Sequence, residues 1–157
     1  MLYFAYGSNT DPRRMQDRCP GAVQVSTAWL GQVRLTYGGP SKSWKGGVAT
    51  VVASPIRGAR IPGVLWEVTE KHQKALDRVE GHPNFYVRQE VKVEVEGEDG
   101  PVQAFTYVLR GNVSWYPPTV EYLAALKAGY AANGWNTTSL PNHPENTEEA
   151  ALRFRRD

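Results

Sequence analysis

YFAYGSNTDPRRM, Tyr3 to Met15, holds a short apolar run that stops at a glycine, a polar corner, and then a helix start. Leu2 to Tyr6 reads as a strand. Asp11 to Arg18 reads as a brief helix, with Thr10 or Asp11 as its cap and Pro12 in its first turn. Between them sit Gly7, Ser8 and Asn9. Gly and Asn suit an ordinary strand-to-helix turn. The same small residues also expose consecutive backbone N–H groups, which can grip a carboxylate or a developing oxyanion. These residues alone leave both readings open, and the ordinary turn is the commoner of the two.

Working outward, Val23 to Tyr37 holds β-formers broken at Gly31, giving two strands or one bent strand. Gly38 to Gly47, GGPSKSWKGG, is a loop by composition, and GVATVVAS and IPGVLWEV follow as strands. Thr69 caps a helix with Ala75, Leu76 and Val79 on one face, which stops at Gly81. From Tyr86 the chain alternates, with Val87, Val91, Val93 and Val95 on one side. The GEDG turn leads to a partner strand, Val102 to Leu109. Pro117 and Pro118 introduce a helix from about Thr119 to Asn133, striped by Leu123, Leu126 and Tyr130. Loop residues follow, and Glu148 and Glu149 open a last short helix. Strands and helices in no strict βαβ rhythm indicate an α+β fold.

The chain has 157 residues and reads as one domain over 1–157, with 136–157 a C-terminal loop and short helix of undefined role. A net charge of +2 with dispersed basic residues gives no footprint for nucleic acid. No apolar run approaches a membrane span, which argues against a membrane partner. Cys19 is the single cysteine, so no intrachain disulfide is expected and a reducing cytoplasm is the simpler setting. His72, His82 and His143 lack ligand spacing, so neither a metal nor another cofactor is expected. Ser8 lies outside any G-x-S-x-G pattern, and GPSKS fails the phosphate-loop pattern. Glu80 is the last residue of its helix, where the macrodipole disfavours the ionised form. Its position fits either a tuned acid/base or an exposed residue before a Gly cap.

Four stretches, in order, resemble the γ-glutamylcyclotransferase family with its AIG2-like relatives: YFAYGSN, WKGGVAT at Trp44 to Thr50, LDRVEG at Leu76 to Gly81 followed by Tyr86, and YLAALKAGYAANG at Tyr122 to Gly134. The resemblance implies a compact mixed β-barrel flanked by helices. It implies that Tyr6, Gly7, Ser8 and Asn9 cradle a γ-glutamyl group, that Glu80 is the acid/base, and that Tyr86 and Tyr122 line the same pocket. Trp44 and Trp135 are candidates for the pocket rim, with cover for the core edge as the alternative. The implied chemistry is ring closure of a γ-glutamyl amide to 5-oxoproline with release of an amine, on a small-molecule substrate and without a metal. A noncatalytic module that kept the pocket is the alternative. Thr10 stands where many relatives carry an apolar residue, Asn9 where the glutathione-degrading branch usually has Leu, and Gly134 to Asn136 where Gly-Leu-Pro is frequent.

Overall fold

A computed structural model describes residues 1–111 and 114–144; the helix expected from Glu148 lies outside the described residues. In chain order these residues form β1 (Leu2–Ala5), α1 (Pro12–Arg18), β2 (Val23–Gly31), β3 (Val33–Gly39), β4 (Val48–Ala53) and β5 (Arg60–Glu67). Then come α2 (Glu70–Glu80), β6 (Tyr86–Val93), β7 (Val102–Leu109), β8 (Ser114–Trp115) and α3 (Val120–Ala132). The expected α+β class holds. The barrel resolves into two sheets, a five-stranded one in the order β2-β5-β1-β7-β6 and a three-stranded one in the order β4-β3-β8. The larger sheet curls until its outer strands touch at one bridge, Trp29 to Glu94, with 2.9 Å bonds in both directions.

Local chemistry explains most boundaries. The Asp11 carboxylate accepts from the Arg13 N–H at 3.0 Å, so Asp11 is the cap of α1. Thr69 caps α2, and His72 completes a reciprocal box by accepting the Thr69 N–H on Nδ1 at 3.1 Å. With Nδ1 accepting, Nε2 carries the proton and donates to the Pro20 carbonyl at 2.7 Å, tying the start of α2 to the segment that follows α1. Gly81 ends α2 at φ 68, a left-handed cap that glycine adopts without steric cost. The break between β2 and β3 falls at Gln32, one residue past the expected Gly31. Its positive φ of 58 is held by side-chain bonds from Nε2 to the Ser54 and Ile56 carbonyls.

β1 is the strand that positions the site. It pairs antiparallel with β5 and parallel with β7, so it lies inside the larger sheet and delivers its C-terminal end into the molecule. Phe4, Leu65, Leu76, Leu126 and Val93 are fully buried around it. Each such side chain contributes about 1.5–3 kcal/mol relative to exposure. The alternation of β6 holds, with Gln89 sharing the buried face of Val91 and Val93. Val79, expected on the buried face of α2, is instead 50% exposed.

The C-terminal half of α3 fixes the corner after β1. A Cβ on Gly129 would stand 1.9 Å from the Thr10 hydroxyl oxygen and 3.1 Å from the Asp11 nitrogen. Asn133 adds hydrogen bonds from Nδ2 to the Thr10 and Gly129 carbonyls. Ala ordinarily stabilises a helix interior over Gly by about 1 kcal/mol. Here the sign reverses, because overpacking costs up to about 3 kcal/mol. Gly129→Ala is therefore expected to lose about 1–2 kcal/mol net, read as a lower denaturant midpoint at unchanged m. A midpoint at or above wild type would contradict this packing.

Candidate functional site

β1 ends at Ala5, and Tyr6 and Gly7 carry the chain into a single 3-10 turn, Ser8–Thr10, that feeds α1. The recorded turn bonds run from the Thr10 and Asp11 amides to the Gly7 and Ser8 carbonyls. The Thr10 hydroxyl also donates to the Gly7 carbonyl at 2.8 Å. Thr10, fully buried against α3, thus helps shape the corner rather than standing at its edge. Gly7 has φ −104, outside the left-handed region, and a Cβ there would meet the Tyr122 hydroxyl at 3.6 Å and the Ala49 methyl at 3.8 Å. Close packing around a first added carbon does not require this glycine. A side chain would instead occupy the cleft that Gly7 lines.

About 610 Å³ of space not filled by atoms, open solvent included, lies within the cleft. Tyr6, Gly7, Ser8, Asn9, Trp44, Glu80, Tyr86 and Tyr122, expected together from the sequence, all line it. Trp135 does not. Its N–H bonds the Tyr130 carbonyl at 2.9 Å and its ring packs edge-on against Tyr130, because Gly134 at φ 74 turns the chain back onto the end of α3.

Glu80 brings the carboxylate. Its side chain is only 16% exposed, and Arg18 Nη1 stands 3.9 Å from Oε1. Burial pushes the Glu80 carboxyl up to about 7, with the Arg18 charge pulling the other way. The leading cause is therefore loss of water rather than the helix end invoked from the sequence. One turn earlier, Asp77 is bound on both oxygens, by the Tyr107 hydroxyl at 2.6 Å and by Arg88 Nη1 at 2.5 Å. Asp77 is thus held by its partners, and Glu80 is the carboxylate that lines the cleft.

The tyrosines are held by the main chain. Tyr86 donates to the Ala49 carbonyl and Tyr6 to the Tyr107 carbonyl, each at 2.5 Å, while the Tyr122 oxygen accepts the Ala49 N–H at 2.9 Å. Burial drives all three phenols above their ordinary range, so they stay neutral. Trp44 packs edge-on against Tyr122 at 4.9 Å, with the Arg14 guanidinium over its ring at 5.0 Å. The two glycines after it are steric necessities, since a Cβ on Gly47 would reach 1.9 Å from the Tyr116 carbonyl oxygen and one on Gly46 would reach 2.7 Å from Thr119 Cγ2.

Several lining residues escaped the sequence reading. Arg18, which the sequence marks only as the last residue of α1, and Tyr3, a strand residue, both face the cleft. Ser41 and Ser43, inside the rejected phosphate-loop stretch, line it beside Trp44. Val79 was assigned to the core by its spacing and lies in the cleft wall. No local signal marked any of them. Among the described residues, no group of three His, Cys, Asp or Glu is placed to hold a metal ion, and no helix is long and apolar enough to cross a membrane.

A carboxylic acid that titrates near neutrality, walled by neutral phenols beside a turn with open amides, can take up a proton and return it. The chain is similar to known proteins along most of its length. Residues 3–129 match the family model described as "Gamma-glutamyl cyclotransferase, AIG2-like". The chain is 36% identical over 138 residues to the gamma-glutamylcyclotransferase of Bos taurus and 34% identical to that of Homo sapiens, covering 85% of this chain and 71% of each relative. A solved structure titled "Gamma-glutamyl cyclotransferase" superposes with a TM-score of 0.81 at 29% identity, covering 94% of this chain and 90% of the other. The match runs from β1 into α3 and takes in every cleft residue named above, so the chain belongs to the γ-glutamyl cyclotransferase, AIG2-like family.

Proposed function

We propose that this chain closes γ-glutamyl amides to 5-oxoproline with Glu80 as the acid/base. The observation that carries the reading is Glu80 itself, a largely buried carboxyl raised to about 7 in the same cleft as the Gly7 corner. The relatives' name supplies the reaction class, and the cleft supplies groups suited to each step. The α-amine nitrogen of the γ-glutamyl group attacks its own γ-carbonyl carbon, and a five-membered lactam forms through a tetrahedral intermediate. Glu80 removes the proton that the attacking nitrogen must lose and delivers it to the departing nitrogen as the old amide bond breaks. Protons balance within the substrate, and no water is consumed.

A carboxyl near 7 is matched to both halves of that transfer at neutral pH. The first amides of the 3-10 turn, at Ser8 and Asn9, have no carbonyl partner within the turn and are the donors for the substrate carboxylate or the oxyanion. Much of the acceleration comes from folding the substrate so that amine meets carbonyl.

The test is incubation of the chain with γ-glutamyl amino acids and γ-glutamylamines, recording 5-oxoproline by mass spectrometry. Ring closure on none of them, with ligand still bound, would favour a noncatalytic binding module. Trp44, held at the cleft by Arg14 and Tyr122, is expected to read the departing amine, and Trp44→Ala should change the ranking of kcat/KM across that panel. Trp135→Ala should leave the ranking unchanged, because its ring rests on Tyr130 outside the cleft. A uniform loss for the Trp44 variant would make that ring a wall rather than a reader.

A further inference from the structure

We propose that Arg18 is a positioning residue that spans from the Asn9 side chain to the Glu80 carboxylate and fixes the distance between the substrate-binding corner and the acid/base. The proposal rests on the function argued above, and its observations are geometric. Arg18 Nη1 donates to Asn9 Oδ1 at 2.7 Å and lies 3.9 Å from Glu80 Oε1. Its side chain is 18% exposed, so the guanidinium is withdrawn from bulk water alongside the carboxylate. With Oδ1 engaged, the Asn9 amide points Nδ2 at the Tyr3 hydroxyl, 3.0 Å away, and the Asn9 carbonyl accepts from Trp66 Nε1 at 3.2 Å. Asn9 thus spends its side chain and carbonyl on being held, which leaves its N–H for a ligand.

Tyr3, Asn9, Arg18 and Glu80 form one chain of contacts drawn from β1, the 3-10 turn, α1 and α2. The His72 bond to Pro20 ties the start of α2 to the segment just after α1. Nη1 alone meets both partners, and the planar guanidinium fixes the orientation of that nitrogen, whereas an ammonium on a flexible stem is a freely turning point charge.

The groups facing Glu80 set its electrostatics. The phenols of Tyr3 on β1, Tyr6 at the corner, Tyr86 on β6, Tyr107 on β7 and Tyr122 on α3 all sense its charge, and burial keeps them neutral. Arg18 is the cation that favours the ionised form. Removing it therefore raises the Glu80 midpoint and leaves less of the base form at neutral pH.

The experiment compares full-length wild type with Arg18→Met and Arg18→Lys. The Glu80 carboxyl is titrated by ¹³C NMR on glutamate-labelled protein, and kinetics use the best-turned-over member of the γ-glutamyl panel. In Arg18→Met the midpoint should move to higher pH. Its kcat should fall about 10- to 100-fold, the scale of a misplaced catalytic group, with KM within about threefold. Arg18→Lys keeps the charge and should restore the midpoint, yet kcat should stay depressed because an ammonium on a flexible stem lacks the fixed orientation of the planar guanidinium. It also decides the matter if the Met variant does not fold. An unmoved midpoint in the folded Met variant, wild-type kcat in the Lys variant, or a raised KM at unchanged kcat would overturn the proposal, the last by making Arg18 a substrate ligand. If wild type closed no substrate, the function proposal would fall on the panel result, while the NMR titration would still decide whether Arg18 governs Glu80.

Discussion

Glu80→Gln should reduce turnover by about two to four orders of magnitude while leaving the fold intact. Gln preserves the shape of the side chain and its place at the end of α2, but it neither accepts nor returns a proton. The pH dependence gives a second readout. With the wild-type carboxyl at about 7, kcat/KM should rise with pH up to that region as the base form is populated, and this limb should vanish from the residual activity of the variant.

Stability supplies a control with a definite sign. The folded-state value of about 7 lies above the ordinary 4.5 of the free group. Glu80 therefore contributes stability that is fully present below about 4.5 and is lost as pH rises through about 7. Gln is uncharged throughout and does not suffer that loss, so the variant should unfold at or above the wild-type temperature at pH 8. Wild-type turnover in the variant would remove Glu80 from the mechanism. A marked drop in melting temperature at pH 8 would show instead that the carboxylate is structural.

Whatever the chain specifies within a few residues was legible before any coordinates. Thr69 caps α2 and Gly81 closes it in the left-handed conformation as expected, Asp11 is the cap of α1 from the two residues considered, and Thr119, expected as the first residue of α3, is its cap. The corner from Tyr6 to Asn9 and the carboxylate of Glu80 were placed in one pocket by family resemblance, and they do line one cleft. Spacing alone had not joined them, because they sit on separate elements more than 70 positions apart.

Contacts across elements carry no such local mark. In sequence Arg18 is no more than the end of α1, and only the packing of α1 against α2 sets it beside Glu80. Val79 satisfied the helical spacing of a core residue, but α2 buries a narrower stripe centred on Leu76. Trp135 was assigned by its neighbourhood in sequence, and one left-handed glycine before it turned the ring onto Tyr130. β8, two residues long and paired only to the end of β3, is too short to show any periodicity.

Gly7→Val should leave the domain folded and cut kcat/KM by about 100-fold on every substrate of the panel, equivalent to about 2.7 kcal/mol. The fold survives because the first added carbon meets only ordinary contacts, 3.6 Å to the Tyr122 hydroxyl and 3.8 Å to the Ala49 methyl. This separates Gly7 from Gly47 and Gly129, where an added carbon would come within 1.9 Å of another atom. The two further methyls of Val then project into the volume where main chain must approach ligand closely. Their effect should not depend on the departing amine, since the γ-glutamyl half is common to the whole panel. Trp44→Ala, by contrast, is expected to reorder the substrates. Gly7→Ala should fall between wild type and Val, because one methyl takes less of the cleft. Loss of folded protein would make Gly7 a packing residue after all. Unchanged kcat/KM in the Val variant, or a ligand complex with the Gly7 corner empty, would move the γ-glutamyl site elsewhere in the cleft.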